Sequence, residues 1–223
     1  MAAEHRAVCS PAVGGHPVGF FAELECAFLN TYAARWQYAA DSVGSGFAQG
    51  KSMLLRRDLI ARFGGLRALA VDLAEDAAVT KIVRAAGLRV RLTDAPFLQP
   101  LGRRSIGDVW RRQVRWARLR RGSFKFWFAL EILTGGFLPL VLLATLVATG
   151  TLTAAAALAC VVAWYAVEAA LARTAGWPLT WRSPAAWMLR DLMLPVVWIS
   201  GWVGARFVWR GNAMRVAESG NAA

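Results

Sequence analysis

Hydrophobic and polar positions follow two regimes along the chain. Up to about Arg121 charged residues interleave with apolar ones; after Phe126 the apolar runs lengthen. Between Phe20 and Gln37 apolar residues recur at Phe20, Leu24, Phe28 and Tyr32, with Phe21 and Ala27 beside them. Glu23, Glu25, Asn30 and Arg35 fall mostly elsewhere. This spacing predicts an amphipathic helix over 20–37. Its apolar stripe could face a domain core or a membrane interface, and the pattern leaves both open.

Around that helix the pattern predicts alternating short elements. Arg6 to Ser10 reads as a strand entering a Pro/Gly loop, Ser10 to Gly19. After the Gly/Ser-rich stretch 44–50, Lys51 to Arg56 reads as a buried strand with a basic exit. A helix over Asp58 to Phe63 is expected, capped by Asp58 and ended by Gly64-Gly65. A second helix covers Asp72 to Ala86 and closes at Gly87, and Leu88 to Leu92 alternates like a strand. A third runs from Ser105 to Arg121, with Ser105 as N-cap and Asp108 in the first turn. Strands mixed with helices make α/β the expected fold class.

Three apolar segments follow: Ile132 to Thr149, Leu152 to Ala172 and Leu192 to Trp209. The first two are long enough to cross a bilayer. Arg206, near the end of the third, could snorkel to headgroups. Trp127, Trp164, Trp177, Trp181, Trp187 and Trp209 lie mostly near span ends, as an aromatic belt requires. Arginines crowd 103–125 with Asp108 as the lone acid, which predicts a cytoplasmic face there. Arg173, Arg182 and Arg190 agree, whereas Arg210 and Arg215 disagree for three spans. The expected organisation is a polar α/β region over 1–125, a membrane region over 126–211 and a polar tail over 212–223.

Composition sharpens this picture. The chain has 223 residues, 57% of them hydrophobic, and a mean hydropathy of +0.40, above the usual soluble domain. The formal charge is +12, from 26 Lys and Arg against 14 Asp and Glu. Nucleic acid, anionic lipid or a phosphate-bearing substrate could each match that charge. The hydrophobic half disfavours nucleic acid and favours a bilayer. Cys9, Cys26 and Cys160 have neither zinc-site nor disulfide spacing and read as small hydrophobes. Met1 to Pro17 lacks the apolar core of a signal peptide. A globular domain seldom begins so abruptly, so a truncated or late start is expected.

Two groups of residues carry candidate chemistry. Glu75 and Asp76 open a helix after a Gly-Gly turn. Acids early in a helix are favoured by its dipole, which suffices to explain most such pairs; the alternative is a general base taking a proton from an attacking hydroxyl. Arg112-Gln113-Val114-Arg115-Trp116 lies within a basic helix. A positive-inside cluster accounts for Arg103, Arg104, Arg118, Arg120 and Arg121. Arg112 and Arg115 could instead grip a diphosphate leaving group, because their fixed donors match phosphate oxygens. Trp116 offers a flat face for a sugar or an acceptor pocket.

The order of these pieces resembles a family. Gly50-Lys-Ser-Met-Leu-Leu-Arg-Arg57, Phe63-Gly-Gly65, Glu75-Asp76, Gly87-Leu-Arg-Val90, Arg112-Gln-Val-Arg-Trp116 and apolar spans follow one another as in processive and lipid-linked family 2 glycosyltransferases. The run Arg115-Trp-Ala-Arg-Leu-Arg120, and Trp209-Arg-Gly211 after the last span, are most similar to the ceramide glucosyltransferase branch, which includes bacterial hopanoid-associated relatives. The resemblance covers nearly the whole chain. It implies a GT-A fold, here in part, and inverting transfer of a sugar, typically from UDP-glucose, to a lipid hydroxyl such as ceramide or a hopanoid. It assigns Asp76 as the base with Glu75 beside it, and Arg112 and Arg115 to the donor diphosphate. Trp116 and Gln113 fall on the acceptor and sugar side. It further implies a bacterial inner-membrane protein with its catalytic side cytoplasmic.

One departure matters. The family carries a DxD-type motif for Mg²⁺ or Mn²⁺, and no Asp-x-Asp occurs in this sequence. Asp72 and Asp76 share a helix face but are not read as a replacement pair. The complete enzyme is expected to use the metal, with that motif before Met1. The competing expectation is a non-catalytic membrane protein that binds lipid or partners. A small transporter or channel subunit, resting on Glu168 and Arg206 at membrane depth, fits the large polar region poorly.

Overall fold

A computed structural model describes residues 5–49, 52–70, 72, 74–209 and 212–215. Gly50, Lys51, Leu73, Arg210, Gly211 and the tail from 216 lie outside the described residues, so the expectations resting on them are set aside. The described residues form a mixed α/β structure, mostly helical, with three small sheets.

Strand β1 (His5–Ser10) is the centre of the first sheet. It pairs antiparallel with β3 (Ser52–Leu55) and parallel with β4 (Arg89–Leu92). β3 is an edge strand with Leu54 exposed, not the buried strand the sequence suggested; its other side lacks a partner among the described residues. Between β3 and β4 run α3 (Arg57–Arg62), a 3₁₀ turn and α4 (Glu75–Ala85). Asp58 does not cap α3: Arg56 holds the N-cap position, and Asp58 pairs with its side chain at 2.7 Å. Gly64 and Gly87, at φ +97° and +69°, end α3 and α4 in a backbone region that favours glycine. Val79 and Val83 of α4 pack on Ala7, Cys9, Val90 and Leu92 to form one core.

The expected Pro/Gly loop contains a second strand, β2 (Val13–Val18), paired parallel with β5 (Leu98–Arg103). Both contain Pro and Gly, which normally weaken strands; a partner more than eighty residues away supplies the ladder. Gly19, at φ +86°, then turns the chain into α1 (Phe20–Cys26), an eight-residue π-helix (Ala27–Ala34) and α2 (Arg35–Ser42). The expected stripe of Leu24, Phe28 and Tyr32 is buried, but so are Glu23, Glu25, Asn30 and Thr31. Its middle, 22–32, is therefore enclosed all round rather than on one face, while Phe21 and Trp36 near its ends are exposed. Leu24, Leu29 and Phe28, each at most 2% exposed, contribute about 1.5–3 kcal/mol apiece by burial, as an upper estimate.

Helix α5 (Ile106–Ser123) starts as expected, with a capping box between Ser105 and Asp108. It leads to α6 (Lys125–Leu130), a 3₁₀ turn and α7 (Phe137–Ala148), then to α8 (Ala154–Thr174) and α9 (Ser183–Val203). Two stretches, Lys125–Ala148 and Ala154–Thr174, are long and apolar enough to cross a membrane. The third expected span, 192–209, is not one element: α9 begins earlier, carries buried Arg190 and Asp191, and stops at Val203. The hairpin β6 (Arg206–Trp209) and β7 (Asn212–Arg215) follows. A second core joins Val13, Leu24, Phe28 and Val109 to Tyr165, Ala172, Trp177 and Trp187. It fastens the polar half to α8 and α9.

Candidate active site

Helix α5 carries the first half of the site. Its capping box fixes the start, so positions 109, 113, 114 and 117 turn inward while Arg112, Arg115 and Trp116 are half-buried. Glu25 of α1, 1% exposed, faces this helix. Its carboxylate accepts from Arg112 Nη1 and, at 2.9 Å, from Arg104 Nε. The Arg112 guanidinium carbon lies 4.6 Å from the centroid of the Trp116 ring. Trp116 in turn leans on Ala12, Ala22, Cys26, Leu29 and Leu101.

Arg115 makes no ion pair or hydrogen bond among the described residues. Burial, and then the neighbouring Arg112 charge, push its guanidinium pKa below the ordinary value, while Glu25 opposes the shift. Glu25 thus pairs with Arg104 and Arg112, and Arg115 beside them adds a positive charge that no ion pair among the described residues offsets. Such an excess attracts an anion. Gln113 is buried, and its Nε2 finds no acceptor among the described residues.

The second half lies at the start of α4. Glu75 is exposed and Asp76 half-buried. Asp76 Oδ1 accepts from the Ala77 N–H at 2.8 Å. Thr80 Oγ1 donates to the Asp76 carbonyl at 3.0 Å and accepts from the Ala48 N–H at 2.9 Å, tying α4 to the loop before β3. Burial raises the Cys9 thiol pKa, and the charge of Asp76 adds to that shift.

Cys9 packs with Val79 and Val83 of α4. It is the penultimate residue of β1, and Ala12, three residues on, belongs to the cluster under Trp116. The stretch Cys9 to Ala12 spans roughly 10 Å at most. β1 and β4 run parallel, so both carboxyl ends open on this side, where ligands bind in open α/β sheets. Lys81 of α4 also lies 5.7 Å from the Phe124 ring at the end of α5. The sequence singled out Glu75, Asp76, Arg112, Gln113, Arg115 and Trp116, and it missed Glu25 and Arg104 as partners of Arg112 and of its helix. Glu25 carried a faint signal: an acid flanked by Leu24 and Cys26 in an apolar stretch needs a cation.

No three His, Cys, Asp or Glu side chains converge as metal ligands among the described residues. The donors present among the described residues do not fit Mg²⁺ or Mn²⁺, which needs several oxygen ligands.

A half-buried carboxylate and a surplus of guanidinium charge at strand ends, joined to membrane-length helices, suit transfer of a group from an anionic donor. The sequence matches glycosyl transferase family 21 over residues 1–222, and the chain belongs to that family. This narrows the expected family 2 resemblance to a ceramide-glucosyltransferase-like family. By family the chain is a transferase that works on a nucleotide-sugar donor and an acceptor. No solved structure matches it significantly.

Proposed function

We propose that this chain carries the base and leaving-group side of an inverting glycosyltransferase. It transfers glucose from UDP-glucose to a hydroxyl of a membrane lipid such as ceramide or a hopanoid, at the cytoplasmic face of a bacterial inner membrane. The observation that supports the reading is Arg104 and Arg112 held by buried Glu25 beside Trp116, with Arg115 on the same helix lacking an ion pair among the described residues.

Asp76 takes the proton of the lipid hydroxyl as its oxygen attacks the anomeric carbon. The carbon–oxygen bond to the diphosphate breaks on the opposite face, which inverts the centre. The leaving diphosphate takes the bonding electrons, and Arg115, with no carboxylate of its own, offsets the charge that develops. Arg112 is held by Glu25 and keeps Trp116 in place beside the sugar. Gln113 Nε2 has a donor to spare for a sugar or acceptor oxygen. Membrane-length helices and exposed Phe126 and Trp127 on α6 support a lipid acceptor.

Asp76→Asn in the full-length protein tests this. Turnover of UDP-glucose in membranes should fall by about 10²-fold or more, with UDP binding retained. Loss of UDP binding in step with turnover would remove Asp76 as the base.

A further inference from the structure

Polar side chains buried between α8 and α9 reach the π-helical segment through one residue. Arg190 of α9 is 1% exposed, Glu168 of α8 3% and Asp191 0%. Arg190 pairs with both oxygens of Glu168, and its Nη2 lies 2.9 Å from Asp191 Oδ1. Tyr165 donates to Asp191 Oδ2 at 3.1 Å. Charges buried this deeply are costly unless each has a partner, and here each has one.

Arg190 also reaches outside the pair. Its Nη1 donates to Thr31 Oγ1 at 2.9 Å and to the Ala27 carbonyl at 3.4 Å. Thr31 Oγ1 donates to the same carbonyl at 3.3 Å. Both residues belong to the π-helical segment Ala27–Ala34, so the guanidinium inserts where the helix is wound wide. Wide turns of this kind cluster at functional sites.

The wide winding has a geometric consequence. Each residue of an α-helix turns its successor by about 100°, so closing the wide turn would rotate one end of the element against the other. Glu25, before the turn, must face α5 to hold Arg104 and Arg112. Tyr38, after it, must face the first sheet to donate to the Thr93 carbonyl at 2.8 Å. A regular helix could not keep both orientations.

We infer that Arg190, braced by Glu168 and Asp191, is a positioning residue for sugar transfer: it holds the π turn of 27–34 open and thereby sets Glu25, Arg112 and Trp116. The inference rests on the proposed function, since it acts through that site's arginines.

A double-mutant cycle in the full-length protein tests it, read by kcat and by UDP affinity. Arg190→Lys keeps a cation for Glu168 but loses the fork that reaches Thr31, and Glu25→Asp shortens the arm that holds Arg112. Each single change should cost about tenfold in kcat. The double variant should fall little below the worse single, because both damage one linkage. Losses that multiply to about a hundredfold, or an Arg190→Lys variant with wild-type kcat and UDP affinity, overturn the inference. Should Arg190→Lys fail to accumulate, Thr31→Val takes its place in the same cycle, with the same two outcomes. A wild-type protein without turnover and without UDP binding overturns the proposed function and this inference with it. An active wild type with multiplying losses overturns the inference alone.

Discussion

The Arg112 guanidinium lies 4.6 Å from the centre of the Trp116 ring, and its Nη1 donates to Glu25, 87 residues earlier in the chain. One arginine therefore ties α1 to α5 and orients an indole. A cation over an indole stabilises by about 0.5–2 kcal/mol, more as water is excluded. The rigid use of Arg112 leaves Arg115, without an ion pair among the described residues, as the cation with most to gain from an anion.

Trp116 should matter to acceptor use in a way that other interfacial tryptophans do not. Trp116 packs on the cluster at the end of β1, whereas Trp127 is 62% exposed on α6. Trp116→Ala is expected to raise the acceptor KM and lower kcat, by about tenfold or more in kcat/KM if the ring contact contributes 1.4 kcal/mol or above. Trp127→Ala should leave both close to wild type. Steady-state assays with a detergent-solubilised lipid acceptor compare them, and equal effects would reduce Trp116 to a membrane-anchoring residue.

Glu25→Gln should destabilise the fold as well as the site. The carboxylate is 1% exposed, and removing its charge leaves Arg104 and Arg112 facing each other. Removing one partner of a buried pair costs 3–5 kcal/mol; because the two arginine side chains are 33% and 15% exposed, about 3 kcal/mol or less is expected. Thermal unfolding followed by tryptophan fluorescence measures it. An unchanged midpoint would mean that both arginines find other partners.

Local chemistry made part of this architecture legible in the sequence. The Ser105–Asp108 box, the Gly87 stop, the alternation over 89–92 and the apolar runs after 126 all report on their own neighbourhoods. Long-range requirements were hidden. β2 and β5 stabilise one another across the chain, so neither shows strand character alone. Arg190 and Asp191 make α9 unlike a simple span, because their partners lie on α8 and in the π segment. For the candidate site, motif order pointed to Glu75, Asp76 and the 112–116 run, whereas the pairing of Glu25 with Arg104 and Arg112 exists only in three dimensions.

Gly201 fixes how closely α9 approaches α5. A Cβ there would lie 2.6 Å from Phe128 Cζ and 3.2 Å from Ala117 Cβ. Phe128 is 1% exposed and packs against Trp198 and Trp202, with ring centroids 6.3 and 5.5 Å away. Gly201→Val should therefore cost about 1–3 kcal/mol through overpacking. Adding Phe128→Leu should recover part of that loss by making room. A thermal midpoint unmoved by Gly201→Val would show that the helices can separate without penalty.

Cys26 gives a pH test of the buried cluster beside the site. Burial first, then the charges of Glu25 and Glu23, push its thiol pKa from 9.0 to about 12. The neutral thiol is thus favoured in the folded state, and maleimide reagents, which need thiolate, should spare Cys26 at pH 8. Unfolded chains lose the Cys26 proton near pH 9.0, and the folded chain holds it to about 12. The stability gained from keeping it neutral is complete below pH 9, drains away as pH rises from 9 to about 12, and is absent above. Midpoints measured from pH 7 to 11 should fall more steeply for wild type than for Cys26→Ala, which has no proton to lose. Parallel curves would mean that the thiol sits in a wetter place than the Ala12–Leu29–Leu101 cluster provides, and with it the floor beneath Trp116.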